Sequence, residues 1–344
     1  MNDETRSLPA DGQSKMAKWL RFGAGLALGL IFLALVRNSV DLASVGRMMA
    51  HAAWPPLVLA LVAYAVDFVL RALRFWLVLT MGRHDRTPFW PTVSPFIASF
   101  GISDILPFRL GDAFRIYWFH KNCRLPVGHV FGAMIVERVL DLVSIVLLAS
   151  LVLYALGDTV SKAISVQFQM VLTLTWVACL LVLLSPVALE VVARWIDRRF
   201  SHPLIGHATA TAFSIAGSIR ALGTGRRMVS MILMSVFLWL LESIVMLGAW
   251  LSLSGVAGAW MKPFLAFTVS TLGTLVPALP GHFGSYEYFG LLSFDMVQVD
   301  RTMATAVILL AHLILWMPTA LFGIVWLLTT RKDRDRKAWL RTEP

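Results

Sequence analysis

Charged side chains that lie in otherwise apolar stretches are the residues of this sequence whose types and spacing could do chemistry. The most closely spaced of them, Arg109, Asp112 and Arg115, follow a Leu-Pro turn signal. Two guanidinium groups beside one turn can hold a phosphate, because each planar fork matches two phosphate oxygens. Since lipid headgroups carry phosphates, this cluster predicts a headgroup site. Simple anchoring at the inner leaflet is the alternative interpretation.

Other charges lie within longer apolar runs. Arg71 and Arg74 share a predicted helix face with Asp67, because they follow it by four and seven residues. The two arginines could also extend to the inner headgroups. An unpaired charge at the membrane centre costs about 2.5–3.5 kcal/mol or more. We therefore expect these groups to be paired or to line a wet cavity, and a structural ion pair stays as open as a functional role.

Acidic residues continue this pattern in later runs. Glu137 and Asp141 share a helix face, so they could receive Arg109 or Arg115. Glu242 lies in the middle of a run and is expected to need a partner. The predicted substrate-binding residues are Arg71, Arg74, Arg109, Asp112, Arg115, Glu137, Arg138, Asp141 and Glu287.

Two turn signals share the pattern Leu-Pro-x-x-x-Gly, at 106–111 and at 279–284. Broken backbone at membrane depth is tolerated only where protein or a water-filled cavity covers its polar groups. Helix N-termini at such breaks carry partial positive charge and open donors, which suit anionic groups. Kinks packed against neighbouring helices are the simpler alternative. The residues predicted to shape the two turns are Pro107, Gly111, Pro277, Pro280, Gly281 and Gly284.

The elements that must position these residues are membrane helices. Hydrophobic residues make up 58% of the chain and charged residues only 15%, whereas a soluble domain has about 25% charged residues. Six uninterrupted apolar runs are long enough to span a bilayer, at about 19–36, 55–79, 128–156, 167–193, 228–254 and 303–328. Two further stretches, 90–122 and 262–300, are apolar but broken by Pro, Gly and charge.

The distribution of basic residues predicts the topology. If the six runs cross and the two broken stretches return to the side they entered, most Lys and Arg residues lie on the cytoplasmic side, as the positive-inside rule requires. We therefore predict an all-α membrane protein with about six transmembrane helices and two opposed re-entrant hairpins. The order of span, hairpin and span occurs twice, and the two hairpins enter from opposite sides of the membrane. We therefore predict an inverted repeat.

The domain organisation follows from these runs. We expect a disordered cytoplasmic N-terminus at 1–17, a membrane domain at 18–330 and a basic cytoplasmic tail at 331–344. The two repeats lie at about 55–156 and 228–330, separated by a cytoplasmic amphipathic segment at about 194–227. Both termini are predicted to be cytoplasmic, in a bacterial inner membrane.

Several functional classes lack support in the sequence. The net charge of +10 could indicate nucleic-acid binding, but the basic residues flank apolar runs and are better explained by membrane topology. The sequence contains no Walker A loop, His-Glu-x-x-His or Cys-x-x-Cys motif. Cys123 and Cys179 have no metal-type spacing. We therefore predict no catalytic residue, metal or cofactor.

The sequence resembles the lysylphosphatidylglycerol synthase transmembrane region family over residues 20–330. It departs from the commoner family pattern at Asp104, Asp112, His282 and Phe283. The resemblance rests on four motifs in order: the pair Arg71 and Arg74; Pro107-x-Arg109-x-Gly111-Asp112-x-x-Arg115; Glu137-Arg138-x-x-Asp141; and Pro280-Gly281-x-x-Gly284-x-x-Glu287.

The resemblance implies a lipid-translocating membrane module. Because the sequence ends at Pro344 without a soluble synthase domain, synthase activity is not expected. We interpret the protein as a flippase-like lipid translocase for an anionic or isoprenoid lipid, with Glu287 acting at the second turn. The alternatives are a scaffold for a lipid-biosynthetic enzyme and a lipid-modifying membrane enzyme.

Overall fold

The computed structural model describes residues 41–81, 87–157, 225–255, 257–276 and 279–339, with further helical positions between 23 and 34 and between 169 and 220. All regular structure within these residues is helical. The predicted N-terminal segment at 1–17 and Pro277 lie outside the described residues, and the runs at 19–36 and 167–193 and the segment at 194–227 lie partly outside them.

Four described helices are long and apolar enough to cross a membrane. Their apolar spans contain 27 to 30 residues, or ~40–45 Å at a rise of about 1.5 Å per residue, which exceeds a hydrocarbon core of about 30 Å. They match four of the six predicted runs. These helices are α2 (Trp54–Thr80), α5 (Val127–Leu156), α6 (Arg226–Ser254) and α9 (Arg301–Trp339); a short helix, α1 (Leu42–Ala50), precedes them.

Two pairs of shorter helices occupy the positions of the predicted hairpins. The first pair is α3 (Trp90–Ile105) and α4 (Leu110–Cys123), and the second is α7 (Met261–Gly273) and α8 (Ser285–Met296). The two helices of each pair pack against each other. With 12 to 16 residues each, they reach only ~18–24 Å. Their depth in the bilayer stays a prediction.

The backbone conformation of the two turns is the same. A short 3₁₀ turn joins the helices of each pair, and the two residues after its proline are left-handed. In the first turn these residues are Phe108 (φ 61°) and Arg109 (φ 52°), and in the second Gly281 (φ 69°) and His282 (φ 62°). Three of the four carry a Cβ, for which this region is sparsely populated. Such costly conformations persist only where surrounding structure holds them, often at functional sites.

Close helix packing fixes the first hairpin. Helix α3 lies against α9, and a Cβ added at Gly101 would stand 1.9 Å from the carbonyl oxygen of Thr319. Within the hairpin, a Cβ at Gly111 would stand 1.8 Å from the carbonyl oxygen of Ser99. Both glycines are therefore required for close approach of neighbouring backbones, and for Gly111 this explains its place after the turn.

Candidate functional site

Both hairpin turns line one partly open cavity of about 1080 Å³. The first turn contributes Pro107 to Arg109, and the second contributes Pro280 to His282. Helices α2, α5, α6 and α9 complete the walls. The apolar part of the lining includes Phe68, Phe100, Leu142, Ile145, Leu272 and Leu315. Because the two matched turns meet at this cavity, it is the candidate site.

Arg109 is the cation that the first turn presents to the cavity. Its left-handed backbone places it immediately before α4, and its side chain lines the cavity. Across the described part of the chain it forms neither a hydrogen bond nor an ion pair. A guanidinium group carries five donors that cannot be lost by deprotonation, so Arg109 retains its full capacity for an anionic ligand.

The second cation near this turn has a partner. Arg138 of α5 lines the cavity beside Arg109, and its Nη2 donates to the Asp112 carboxylate at 3.3 Å. Its guanidinium group also lies 5.9 Å from the ring centroid of Phe100. The pair joins α4 to α5, and both side chains remain partly exposed to the cavity.

A buried ion-pair network forms another part of the cavity wall. Arg71 donates to Asp67 at 2.6 Å and to Glu242, and it lies 3.8 Å from Asp141. Arg74 binds Asp141 at 2.7 Å. Two arginines thus face three carboxylates, an arrangement that compensates buried charge far better than isolated groups would.

This network joins three long helices. The indole nitrogen of Trp239 donates to Asp141 at 3.2 Å, and the same ring lies under the Arg71 guanidinium group at 4.6 Å. Ser235 accepts a hydrogen bond from Arg74 at 2.8 Å. Helices α2, α5 and α6 are therefore connected by polar side chains. Arg71, Asp141, Trp239 and Glu242 line the cavity, whereas Arg74 does not.

Arg115 and Glu137 form a separate buried pair away from the cavity. Arg115 donates to the two Glu137 oxygens at 3.0 and 3.3 Å and to Ser99 at 2.8 Å. Only 1% of the Arg115 side chain is exposed. Its guanidinium group is surrounded by the rings of Phe75, Phe96 and Phe100, at 4.4 to 5.2 Å. The pairing of Arg115 with Glu137 agrees with the sequence-based expectation. Neither residue lines the cavity, and their role at a headgroup site stays a prediction.

Glu287 supports the second turn from behind the cavity wall. One carboxylate oxygen accepts the backbone N–H of Gly284 at 2.7 Å, which caps the start of α8. The other oxygen lies 2.5 Å from Nδ1 of His312. Nε2 of His312 contacts the carbonyl oxygen of Gly281 at 2.9 Å. Glu287 is therefore buried behind His312, and it is His312 that lines the cavity.

The cavity gathers some of the predicted residues and not others. Those that line it are Arg71, Arg109, Asp112, Arg138, Asp141, Pro107, Pro280 and Gly281. Those that do not are Arg74, Arg115, Glu137, Glu287, Gly111 and Gly284.

Three cavity residues carried little signal in the sequence. Asp104 lies at the end of α3, where its carboxylate accepts a hydrogen bond from Thr319 at 2.8 Å. On α9, Trp316 follows His312 by four residues and Thr319 follows it by seven. This spacing on one helix face could have grouped them, although no turn or motif marked it. Among the described residues, no cluster of three or more His, Cys, Asp or Glu could hold a metal ion.

These features define a multi-pass helical membrane protein with a charged cavity between two broken-helix turns. The sequence profile of the lysylphosphatidylglycerol synthase TM region matches residues 22–323. Because the match covers most of the chain, the protein belongs to that family.

Three relatives are similar at low identity. The glycosyltransferase AglD of Haloferax volcanii is 26% identical over 337 residues, which cover 88% of this chain and 53% of AglD. The chain thus spans about half the length of that relative. A UPF0104 membrane protein of Pyrococcus horikoshii is 24% identical over 90% of this chain and 96% of its own length. Another, from Methanocaldococcus jannaschii, is 23% identical over 66% of this chain and 70% of its own. These relatives are archaeal, and the bacterial location stays a prediction.

Proposed function

We propose that this protein moves a phosphate-bearing lipid between the two leaflets of its membrane. The observation that carries the proposal is the cavity at which both broken-helix turns meet, where Arg109 makes no hydrogen bond or ion pair with any residue that the structure describes. Transporters built from repeated halves bind their substrates at discontinuous helices between the halves.

Among the described residues, the ion pairs of the cavity leave the guanidinium group of Arg109 available for an anionic group near the first turn. Arg71 and Arg138 form ion pairs with carboxylates, whereas Arg109 forms none within the described part of the chain. A phosphate bound to Arg109 would gain paired, charge-assisted hydrogen bonds. Arg109, with Arg138 beside it, is therefore the residue to which we assign the headgroup phosphate.

The apolar surface near the first turn suits the remainder of a lipid. Leu106, Phe108 and Leu110 are 39%, 56% and 45% exposed, and they flank Arg109 in the sequence. An amphipathic ligand could place its phosphate at Arg109 and its chains along these side chains, as sites for such ligands combine a few polar groups with apolar walls. Rocking of the two repeats about the cavity would then expose it to each leaflet in turn.

The energy source is an ion gradient or none. The sequence contains no Walker A loop, so the proposal places no nucleotide hydrolysis in this chain. Without a coupled ion, the protein would equilibrate lipid between leaflets rather than concentrate it.

Transbilayer movement of labelled phosphatidylglycerol in proteoliposomes tests the proposal. Wild-type protein should accelerate movement, and Arg109→Gln should reduce the acceleration by at least tenfold, because an ionic hydrogen-bonded contact is worth about 1.5–3 kcal/mol. Arg109→Lys should retain part of it. The matched control is Arg301→Gln, which changes an exposed arginine paired with Asp295 outside the cavity. Equal rates in wild type and Arg109→Gln would refute the assignment.

A second candidate function is support of a lipid-linked glycosyltransferase, because one relative carries the name glycosyltransferase and is about twice as long as the matched region. This alternative predicts no lipid movement by the purified chain. It predicts instead that a partner enzyme changes the mass of a membrane lipid only when this chain is present, and that Arg109→Gln leaves that reaction intact.

A further inference from the structure

His312 holds the turn of the second hairpin through both of its ring nitrogens. Nδ1 lies 2.5 Å from Glu287 and Nε2 lies 2.9 Å from the carbonyl oxygen of Gly281. The imidazole ring also packs against the tilted rings of Phe283 and Tyr286, with ring centroids 4.7 and 4.6 Å away. This position fixes the ring, so the two contacts are made together.

The two contacts together require one proton more than a neutral histidine and a carboxylate possess. The Gly281 carbonyl can only accept, so Nε2 must carry a hydrogen. The contact between Nδ1 and Glu287 then needs a second hydrogen, either on Nδ1 or on the carboxyl group. A neutral imidazole beside an ionised carboxylate has only one hydrogen for these two contacts.

Loss of that proton would release the turn. The remaining hydrogen would stay with the contact to Glu287, because a hydrogen bond to a carboxylate is stronger than one to a neutral carbonyl. Nε2 would then present a lone pair to the Gly281 carbonyl oxygen, and the two acceptors would repel each other. The contact that is lost is therefore the hydrogen bond between the carbonyl group of the second turn and α9.

Several other titratable groups surround the pair of His312 and Glu287. Tyr286 from α8, His282 from the turn and Asp104 from α3 act on it electrostatically. Helices α2 and α6 contribute Tyr64 and Glu242 to the same cavity. Helix α1, which also packs on α9, carries Arg47, an exposed residue paired with Asp41. Since His312 lines the cavity, a proton can reach it from there.

One face of α9 connects this pair to the first hairpin. Four residues after His312, the indole nitrogen of Trp316 donates to the backbone carbonyl of Asp104 at 3.3 Å. Thr319 donates to the Asp104 side chain at 2.8 Å. The same helix face therefore contacts the end of α3 before the first turn and the carbonyl of the second turn.

We propose that His312 and Glu287 form a proton-binding site whose bound proton holds the second turn against α9. Proton release frees that turn at the cavity while α9 stays attached to the first hairpin. As the coupling site for lipid movement this inference rests on the proposed function, but as a proton site it stands without it.

Hydrogen–deuterium exchange of the turn, followed by mass spectrometry on the whole protein in nanodiscs, tests the site. The amides to follow are those of His282, which donates to Leu279 at 2.9 Å, and Gly284, which donates to Glu287. In the wild type, protection corrected for intrinsic exchange should be about fivefold to tenfold lower at about pH 9 than at about pH 5, as expected for one lost hydrogen bond.

Glu287→Gln is the decisive variant. A glutamine amide can donate to Nδ1 while its oxygen accepts from Gly284, and Nε2–H still donates to Gly281. All three contacts are then satisfied without an added proton, so the variant should keep its protection across the range. His312→Gln should also lose the pH dependence, whatever its level of protection. His51→Gln, which changes an exposed histidine outside the cavity, should keep the wild-type profile.

A flat wild-type profile, or an equal fall in wild type and Glu287→Gln, would overturn the inference. The exchange experiment contains no transport step, so it separates this inference from the proposed function. If exchange behaves as expected and proteoliposomes move no lipid, the proton site stands and the translocase proposal fails. If both hold, an imposed pH gradient should change the rate of lipid movement in the wild type and not in Glu287→Gln.

Discussion

Replacing Glu137 by alanine tests whether the pair that it forms with Arg115 supports the fold or binds the substrate. The substitution leaves the Arg115 guanidinium group buried among three phenylalanine rings with Ser99 as its remaining polar contact. Breaking a buried pair by removing one partner costs about 3–5 kcal/mol, because the other charge is left uncompensated. Aromatic contacts with the cation recover part of this, so we expect a loss near the lower end, about 3 kcal/mol.

A double-mutant cycle isolates the pairing energy. Arg115→Met and Glu137→Leu remove the two charges separately and together, while keeping much of the buried volume. The double variant should be more stable than Glu137→Leu alone, since no buried charge remains. The control is the exposed pair of Arg301 and Asp295, for which alanine at Arg301 should cost at most about 1 kcal/mol.

Equilibrium unfolding in mixed micelles of increasing SDS content measures these differences. A cost below about 1 kcal/mol for Glu137→Ala, combined with a loss of lipid movement, would refute the structural role. Arg115 and Glu137 would then belong to the substrate site, as the sequence alone suggested. A cost near 3 kcal/mol with wild-type movement in the folded fraction would support the geometry described above.

Two further predictions concern the attachment of the first hairpin to α9. Gly101→Ala should destabilise the protein by about 1–3 kcal/mol, because its Cβ would stand 1.9 Å from the Thr319 carbonyl oxygen. The matched control is Gly46→Ala in α1, whose added Cβ meets nothing within 4 Å. Equal stability of the two variants in SDS unfolding would contradict the close approach of α3 and α9. Thr319→Val should cost about 1–3 kcal/mol by the same measurement, because the Asp104 carboxylate loses its donor, and a neutral result would mean that this hydrogen bond does not hold the hairpin.

The helices and turns of this fold are readable from the sequence because their signals are local. Apolar runs marked α2, α5, α6 and α9, and the shared Leu-Pro-x-x-x-Gly pattern marked both turns. The left-handed conformation of Phe108, Arg109 and His282 could not be predicted, because the sequence offers no glycine at these positions.

The partners of the charged residues are less readable because they come from distant parts of the chain. Asp67 and Arg71 are neighbours on one helix, and their ion pair follows from spacing. Glu242, by contrast, reaches Arg71 from α6, and Asp141 reaches both arginines from α5. Only the packing of α2, α5 and α6 brings these groups together.

The direction in which a side chain points also cannot be predicted from the distance of its residue to a turn in the sequence. Arg109 and Arg115 lie on either side of the start of α4, and both were predicted to bind phosphate. The structure directs Arg109 to the cavity and Arg115 into the aromatic core, because the helix separates them by more than one turn. His312 shows the opposite case, since a lone histidine in a long apolar helix gave no sign of its contacts with the second turn.

The most direct test of the central claim compares two labelled lipids with the same acyl chains in proteoliposomes of the wild-type protein. One is phosphatidylglycerol, and the other is an uncharged glycosyl diacylglycerol. Because Arg109 offers charge-assisted hydrogen bonds to a phosphate, we predict accelerated transbilayer movement of phosphatidylglycerol and little effect on the glycolipid. Acceleration of neither lipid, or equal acceleration of both, would contradict a cavity that selects its lipid by the phosphate.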